Sequence, residues 1–293
     1  DVTDAPVKGN QEGIFGYGYA DAGSSLTNLI SNAGVVSTDV TGVGSARWGV
    51  AACEYGGDKG IFGFGSTGSY TGVTNLVSNA GVVATDVAAV GTARSEKPAA
   101  CSYGGDKGIF GFGHDGVGYV GMTNLVSNAG VVAADVTAVG TARGFLSACE
   151  YGDDKGIFGF GLTGSYTAVT NLVSNAGVVA TDVTGVGTAR SETAACGYGY
   201  DKAIFGFGND GSVTAVTNLV SNAGVVATDT TGVGTAHRAL AATQYGYDKA
   251  IFGFGSTGTN TSISNLVSNA GVVATDTTGV GTARRYLDAC SFN

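Results

Sequence analysis

Short apolar runs separated by glycine-bearing polar turns follow one another along the chain. A representative stretch reads Ala51-Ala52-Cys53-Glu54-Tyr55, then Gly56-Gly57-Asp58-Lys59, then Gly60-Ile61-Phe62-Gly63-Phe64-Gly65. Runs of this length bounded by turn residues predict β-strands, and the short polar turn makes the first two a hairpin. Residues 74–78 and 82–87 flank Asn79-Ala80-Gly81, which predicts a second hairpin whose glycine supplies a positive φ. The repeating stretch thus carries four strand candidates and three turns. No apolar run approaches the roughly 18 residues of a membrane-spanning helix, so no membrane insertion is expected.

The pattern has a period. Ile-Phe-Gly starts at Ile14, Ile61, Ile109, Ile157, Ile204 and Ile251, with gaps of 47, 48, 48, 47 and 47 residues. Four-stranded units of about 40 to 50 residues mark β-propeller blades. The expected fold is therefore all-β: one six-bladed β-propeller domain over residues 1–293, built of four-stranded antiparallel blades. The first unit lacks the Ala-Ala-Cys strand, and the chain finishes with Asp288-Ala289-Cys290-Ser291-Phe292. Pairing this closing segment, 288–293, beside residues 13–18 would close the ring from both termini. Strict alternation would put Phe62 and Phe64 on one face and Ile61, Gly63 and Gly65 on the other, leaving the glycines as sockets for a neighbouring blade.

Composition narrows the class. Glycine supplies 52 of 293 residues and proline 2, yet 43% of residues are hydrophobic, which excludes both collagen and a disordered low-complexity chain. Lys and Arg number 14 against 23 Asp and Glu, a balance of -9 that argues against a nucleic-acid partner. The opening Asp1-Val2-Thr3-Asp4, with neither Met nor an apolar signal core, leads to the expectation of a processed or trimmed start.

The repeated polar positions are the candidates for chemistry. Cys53, Cys101, Cys149, Cys196 and Cys290 share one position, with Thr243 in the sixth unit. Symmetry-related sites around a ring are too far apart to bridge, so buried free thiols are expected, and no Cys-x-x-Cys or nearby His suggests a metal or cofactor. Asp39, Asp86, Asp135, Asp182, Asp229 and Asp276 form a second series, expected to meet backbone amides or a neighbouring blade. Catalysis finds little support: the two His, His114 and His237, are not equivalent, and there is no nucleophile elbow or phosphate loop.

Arg47-Trp48-Gly49-Val50-Ala51-Ala52-Cys53 and Lys59-Gly60-Ile61-Phe62-Gly63-Phe64-Gly65 resemble the kelch type of propeller unit, with Gly-Phe-Gly in place of the kelch Gly-Gly doublet. That resemblance implies that the first strand of each unit is innermost. Arg47, Arg94, Arg143, Arg190, His237 and Arg284 precede it in the six units. They would then encircle one mouth of a central channel, where the Arg members would grip a carboxylate, phosphate or sulfated sugar. The alternative is that each guanidinium caps carbonyls or pairs with an Asp.

Loop variability separates two faces. The Gly-Asp-Lys and Asn-Ala-Gly turns barely change, whereas loops 19–26, 66–73, 114–122, 162–169, 209–216 and 256–263 and links 48–50, 95–98 and 144–145 vary. Recognition sits on loops over a rigid scaffold, which nominates Trp48, Tyr70, Tyr119 and Tyr166 with the Arg series as ligand contacts. The string from Ser268 to Arg284 resembles tandem repeats of bacteriophage structural proteins. This implies a non-enzymatic structural or adhesive component of a tail fibre or capsid surface, located on the virion surface or extracellularly. Its partners would be other virion proteins or host-surface glycans and proteins. A carbohydrate-binding lectin using the varied face is the second reading, and a propeller glycosidase a remote third.

Overall fold

The Gly-Asp-Lys and Asn-Ala-Gly turns reverse the chain where the sequence places them, and a computed structural model describes the result for residues 11–137 and 139–293. The strands in chain order are β1 (Glu12–Gly16), β2 (Thr27–Ile30), β3 (Ala51–Tyr55), β4 (Lys59–Gly63), β5 (Thr74–Val77), β6 (Ala99–Tyr103), β7 (Lys107–Gly111), β8 (Thr123–Val126) and β9 (Ser147–Tyr151). They continue as β10 (Lys155–Gly159), β11 (Thr170–Val173), β12 (Ala194–Tyr198), β13 (Lys202–Asn209), β14 (Val213–Val220), β15 (Ala241–Tyr245), β16 (Lys249–Gly253), β17 (Ser264–Val267) and β18 (Asp288–Phe292). Among the described residues there is no helix. The strands form six antiparallel sheets of three, and the first of them is completed from both ends of the chain in the order β18-β1-β2. β18 pairs with β1 from Glu12↔Phe292 to Gly16↔Asp288, as the closing-strand expectation requires. The first strands neighbour one another in cyclic order, β3, β6, β9, β12, β15, β18 and β3 again.

The expected fourth strand is a correction. The segment around Val83–Val87 runs back along β5 but touches it through two isolated bridges, Val77↔Val83 and Thr74↔Val87. Three steps along β5 thus face four along its partner, and one extra residue breaks the ladder. The Asn75 side chain fills the break, donating to Ala84 O at 3.0 Å and to Asp86 Oδ1 at 2.9 Å. The same pair of bridges recurs in every unit, so each sheet has three regular strands and an irregular outer segment.

Packing between sheets follows the socket idea, with one change. Gly63 receives the ring of Phe110 from the next sheet, and a Cβ there would lie 2.8 Å from its Cζ. The series Gly16 to Phe62, Gly63 to Phe110, Gly111 to Phe158, Gly159 to Phe205, Gly206 to Phe252 and Gly253 to Phe15 returns to its start. Phe62 and Phe64 do not share a face, however. Phe64 adopts φ 62°, and Tyr17, Phe112, Phe160, Phe207 and Phe254 behave alike, so the strand alternation ends one residue early. Phe62 therefore points back to Tyr17, at 5.1 Å between ring centroids, while Phe64 points forward to Phe110, at 5.2 Å. Left-handed backbone at a non-glycine residue costs about 1–3 kcal/mol. Burying the ring contributes about 1.5–3 kcal/mol, and its aromatic and cationic neighbours add to that, so the inversion is offset locally.

At the repetitive end a circuit of peptide hydrogen bonds links the units. Gly56 N donates to Asp106 O at 2.7 Å, Gly104 N to Asp154 O, Gly152 N to Asp201 O, Gly199 N to Asp248 O, Gly246 N to Gln11 O and Asn293 N to Asp58 O. Each donor is left-handed, and Asn293, with φ 77°, replaces glycine at the chain's end.

Candidate functional site

The arginine series sits between sheets, fully buried, and not at a channel mouth. Arg143 stacks 4.4 Å over the Phe112 ring of the preceding sheet. It donates from Nε to Phe160 O at 2.9 Å, from Nη1 to Thr141 O at 3.0 Å and from Nη2 to Asn171 Oδ1 at 2.8 Å. Arg47, Arg190 and Arg284 repeat this arrangement with Tyr17, Phe160 and Phe254 under the guanidinium, and Arg94 lies over Phe64. A fully buried guanidinium bonded to oxygens inside the protein and stacked on an aromatic ring offers nothing to a ligand, so these residues are clamps, Arg94 holding through Nη1 and Nη2 while its Nε has no partner among the described residues. Burial pulls Arg143 down to about 10, opposed by Asp182, which leaves it charged at neutral pH. His237 is too short for the sixth clamp: it keeps the bond to Thr235 O at 2.7 Å, but its Nε2 and Asn265 Oδ1 have no partner.

Each Asp of the second series ties the incoming link to its own unit. Asp86 accepts from Ser45 N at 3.1 Å, Ser45 Oγ at 2.6 Å and Asn75 Nδ2 at 2.9 Å, with Arg47 Nη1 at 4.0 Å. Partial burial pushes the carboxyl up, but the Ser45 and Asn75 hydrogen bonds and the Arg47 charge outweigh it and hold Asp86 below the ordinary range. Asp39 closes the series by doing the same with Thr282 and Arg284. The Cys are free and buried, each thiol raised chiefly by burial, and Cys53 Sγ lies where a Cβ on Gly108 would approach to 2.6 Å.

The varied end is different. Gly49, Glu96, Phe145, Glu192, Ala239 and Tyr286 hold φ between 52° and 63° at the links into the first strands. Five hydrogen bonds join them: Gly49 N to Tyr286 O, Tyr286 N to Ala239 O, Ala239 N to Glu192 O, Glu192 N to Phe145 O and Phe145 N to Glu96 O, each at 2.8 or 2.9 Å. The sixth, from Glu96 N to Gly49 O, is missing among the described residues. The gap has a cause in the sequence: Arg94 to Cys101 spans seven residues where Arg47 to Cys53 spans six, and the extra residue falls at Glu96-Lys97-Pro98.

A pocket of about 240 Å³ opens at that gap, lined by Trp48, Gly49, Ser66, Tyr70, Ser95, Glu96, Lys97, Phe145 and Tyr286. Tyr70 Oη donates to Glu96 Oε1 at 3.3 Å. Burial first, then the Glu96 carboxylate, raise the hydroxyls of Tyr70 and Tyr119, which stay protonated. The Phe145 and Tyr286 rings are 6.1 Å apart and tilted by 50°. Of the sequence candidates, Trp48 and Tyr70 meet here. Tyr119 backs the site, with its ring over Gly144. Tyr166 stands in another loop, its hydroxyl accepting from Asn209 Nδ2 at 3.1 Å.

Beside the pocket lie two charged residues that the repeat conceals, Lys97, which is buried, and Asp288, which is half-buried. Lys97 Nζ donates to Thr193 O at 2.8 Å and Leu240 O at 2.6 Å, tying its link to those of two other units. Asp288, which shares a small cavity with Lys97, accepts from Ala52 N at 2.8 Å. Burial pushes the Asp288 carboxyl up to about 7 against the pull of Lys97, whose own ammonium burial depresses.

Glu96, Lys97 and Phe145 lie in links that the sequence marks as varied and Asp288 in the closing strand, but nothing in residue type singles them out as contacts, and Tyr286 lies outside the varied segments altogether. The seven-residue link was the available signal. A scan against models of known protein families and a comparison with curated proteins give no match.

Proposed function

We propose that the six sheets are the blades of a kelch-like β-propeller closed through β18, and that the molecule is a non-enzymatic structural and adhesive module on a virus particle, in a tail fibre or on the capsid surface. The observation that carries the reading is the division of labour between residues. The repeated Arg, Asp, Asn and Cys are taken up in joining units, while the unrepeated aromatic and acidic residues gather at one end around a pocket. Recognition elements held on a rigid scaffold are the arrangement expected of a binding module. The phage-like wording from Ser268 to Arg284 supports the location. Other particle proteins or host-surface glycans and proteins are the partners that this location offers.

Antibody against the chain, applied to purified particles by immunoblot and immunogold electron microscopy, tests the proposal. Surface labelling is expected, and particles free of the protein would overturn the location. The pocket also favours the lectin reading, in which the same scaffold serves sugar binding.

A further inference from the structure

We propose that the pocket at the gap in the peptide circuit binds one neutral pyranose, enclosed by Trp48, Tyr70, Phe145 and Tyr286 and hydrogen-bonded by the Glu96 carboxylate, the Gly49 carbonyl and the Glu96 amide. The inference rests on the binding-module reading for its purpose, though not on the particle location.

Four features select this ligand. The volume, about 240 Å³, lies below that of sites for drug-sized ligands, which suits a single sugar ring. Aromatic faces carry negative potential that attracts the polarised C–H groups of a pyranose, and four aromatic side chains line the space. The missing sixth bond leaves an acceptor, Gly49 O, and a donor, Glu96 N, without backbone partners among the described residues. A ligand that satisfies both must donate and accept, as hydroxyl groups do. A quaternary ammonium would suit the aromatic walls and the carboxylate but leave both peptide groups unmet. Finally, Lys97 is the one cation among the lining residues, and its ammonium is committed to Thr193 O and Leu240 O, so the lining favours a neutral sugar over an acidic or sulfated one.

The site is unique among the six units because two departures coincide there. Gly49 is the one left-handed link residue without a side chain, and the extra residue at 96–98 draws the next link away. Phe145 and Tyr286 keep their side chains in a backbone conformation that glycine would adopt more easily, with φ 52° and 55°.

Trp48 is the chain's single tryptophan, so its emission reports on the pocket directly. The full chain is titrated with methyl glycosides of the common neutral hexoses and N-acetylhexosamines, and in parallel with glucuronate, galactose 6-sulfate and choline. A saturable change with at least one neutral glycoside, and none with the other three, is expected. Phe145→Gly should retain or raise the melting temperature, because it relieves the left-handed φ, while weakening binding at least tenfold, about 1.4 kcal/mol. Glu96→Gln, read by calorimetry, should weaken it too and guards against a misfolded first variant. No response to any neutral glycoside, a response confined to choline or the acidic sugars, or undiminished binding in both folded variants would each overturn the proposal. Particle labelling is scored separately, so a protein absent from particles but responsive to sugar removes the location and keeps the pocket.

Discussion

At the repetitive end six turn peptides bond in a complete circuit, with glycine at five left-handed positions and Asn293 at the sixth. At the varied end five peptides do so, and the left-handed positions carry Gly49, Glu96, Phe145, Glu192, Ala239 and Tyr286. At the donor positions of the complete circuit the turn is made by the residue that adopts a left-handed backbone without strain, although the next position of the same turns is left-handed at Asp153, Tyr200 and Tyr247 as well. Where a circuit position at the varied end keeps a strained side chain, something other than the turn has retained that side chain. At the circuit positions, glycine at one end and Phe, Tyr and Glu at the other therefore separate scaffold from display, and the gap marks where display becomes a cavity.

Removing residues 288–293 should have the largest effect, because it takes β18 from the first sheet and Asn293 from the complete circuit. Circular dichroism and size-exclusion chromatography should show unfolding or association, and a monomer of unchanged melting temperature would contradict terminal closure. Within the intact circuit, Gly152→Ala places a Cβ 2.7 Å from Asn222 O at φ 59°. A loss of about 2–3 kcal/mol in urea unfolding is expected.

The varied end should show its off-pattern charge through pH. Asp288 is raised to about 7, above its unfolded value, so it destabilises the fold increasingly as pH rises from the ordinary carboxylate range to about 7, and constantly beyond. Asp288→Asn should match the wild type near pH 4 and melt higher at pH 8, whereas equal melting at both would refute the assignment. The lowered Asp39, Asp86, Asp135, Asp182, Asp229 and Asp276 act with the opposite sign. Their stabilisation is present above the unfolded range and lost as pH falls through their folded values, so both proteins should weaken in acid.

Between the two ends, His237→Arg completes the sixth clamp by reaching Asn265 Oδ1 while keeping the stack on Phe207 that the imidazole already makes at 4.4 Å. A gain of about 1 kcal/mol is expected, seen as a rise in melting temperature, and a fall would show that the site cannot accommodate the larger group. The smallest effect belongs to Ala239→Gly, whose φ of 54° favours glycine while the lost methyl opposes it. A gain of about 0.5 kcal/mol would distinguish this end from Gly152, where the reverse exchange is costly.

The period, the first hairpin, the glycine sockets and the closing strand were legible in the sequence because each rests on residue type at a fixed interval. The reversal at Phe64 was not, since alternation assumes extended backbone and nothing in Gly-Phe-Gly announces a left-handed phenylalanine. The outer strand failed for a related reason: residues 82–87 look extended, but the mismatch with β5 appears only once Val77 faces Val83 and Thr74 faces Val87. Arg143 was visible as a repeated charge, and its direction depended on Asn171 and Phe112, whose places are set by tertiary packing. For the pocket, Trp48 and Tyr70 were legible as loop aromatics. Phe145 and Tyr286 come from distant units, and the peptide circuit brings them together.

The meeting of both ends in one sheet has a consequence for engineering. Gln11 N donates to Asn293 O at 3.3 Å, so a short peptide joining these two residues directly would turn the segment from β1 to β18 into a loop that can be reopened at a repetitive turn. A circular permutant cut between Gly152 and Lys155 would carry the pocket on an uninterrupted half of the molecule, with its new termini at the opposite end. The site of chain opening would then be a choice left to the gene, and a tether attached there would leave the cavity clear.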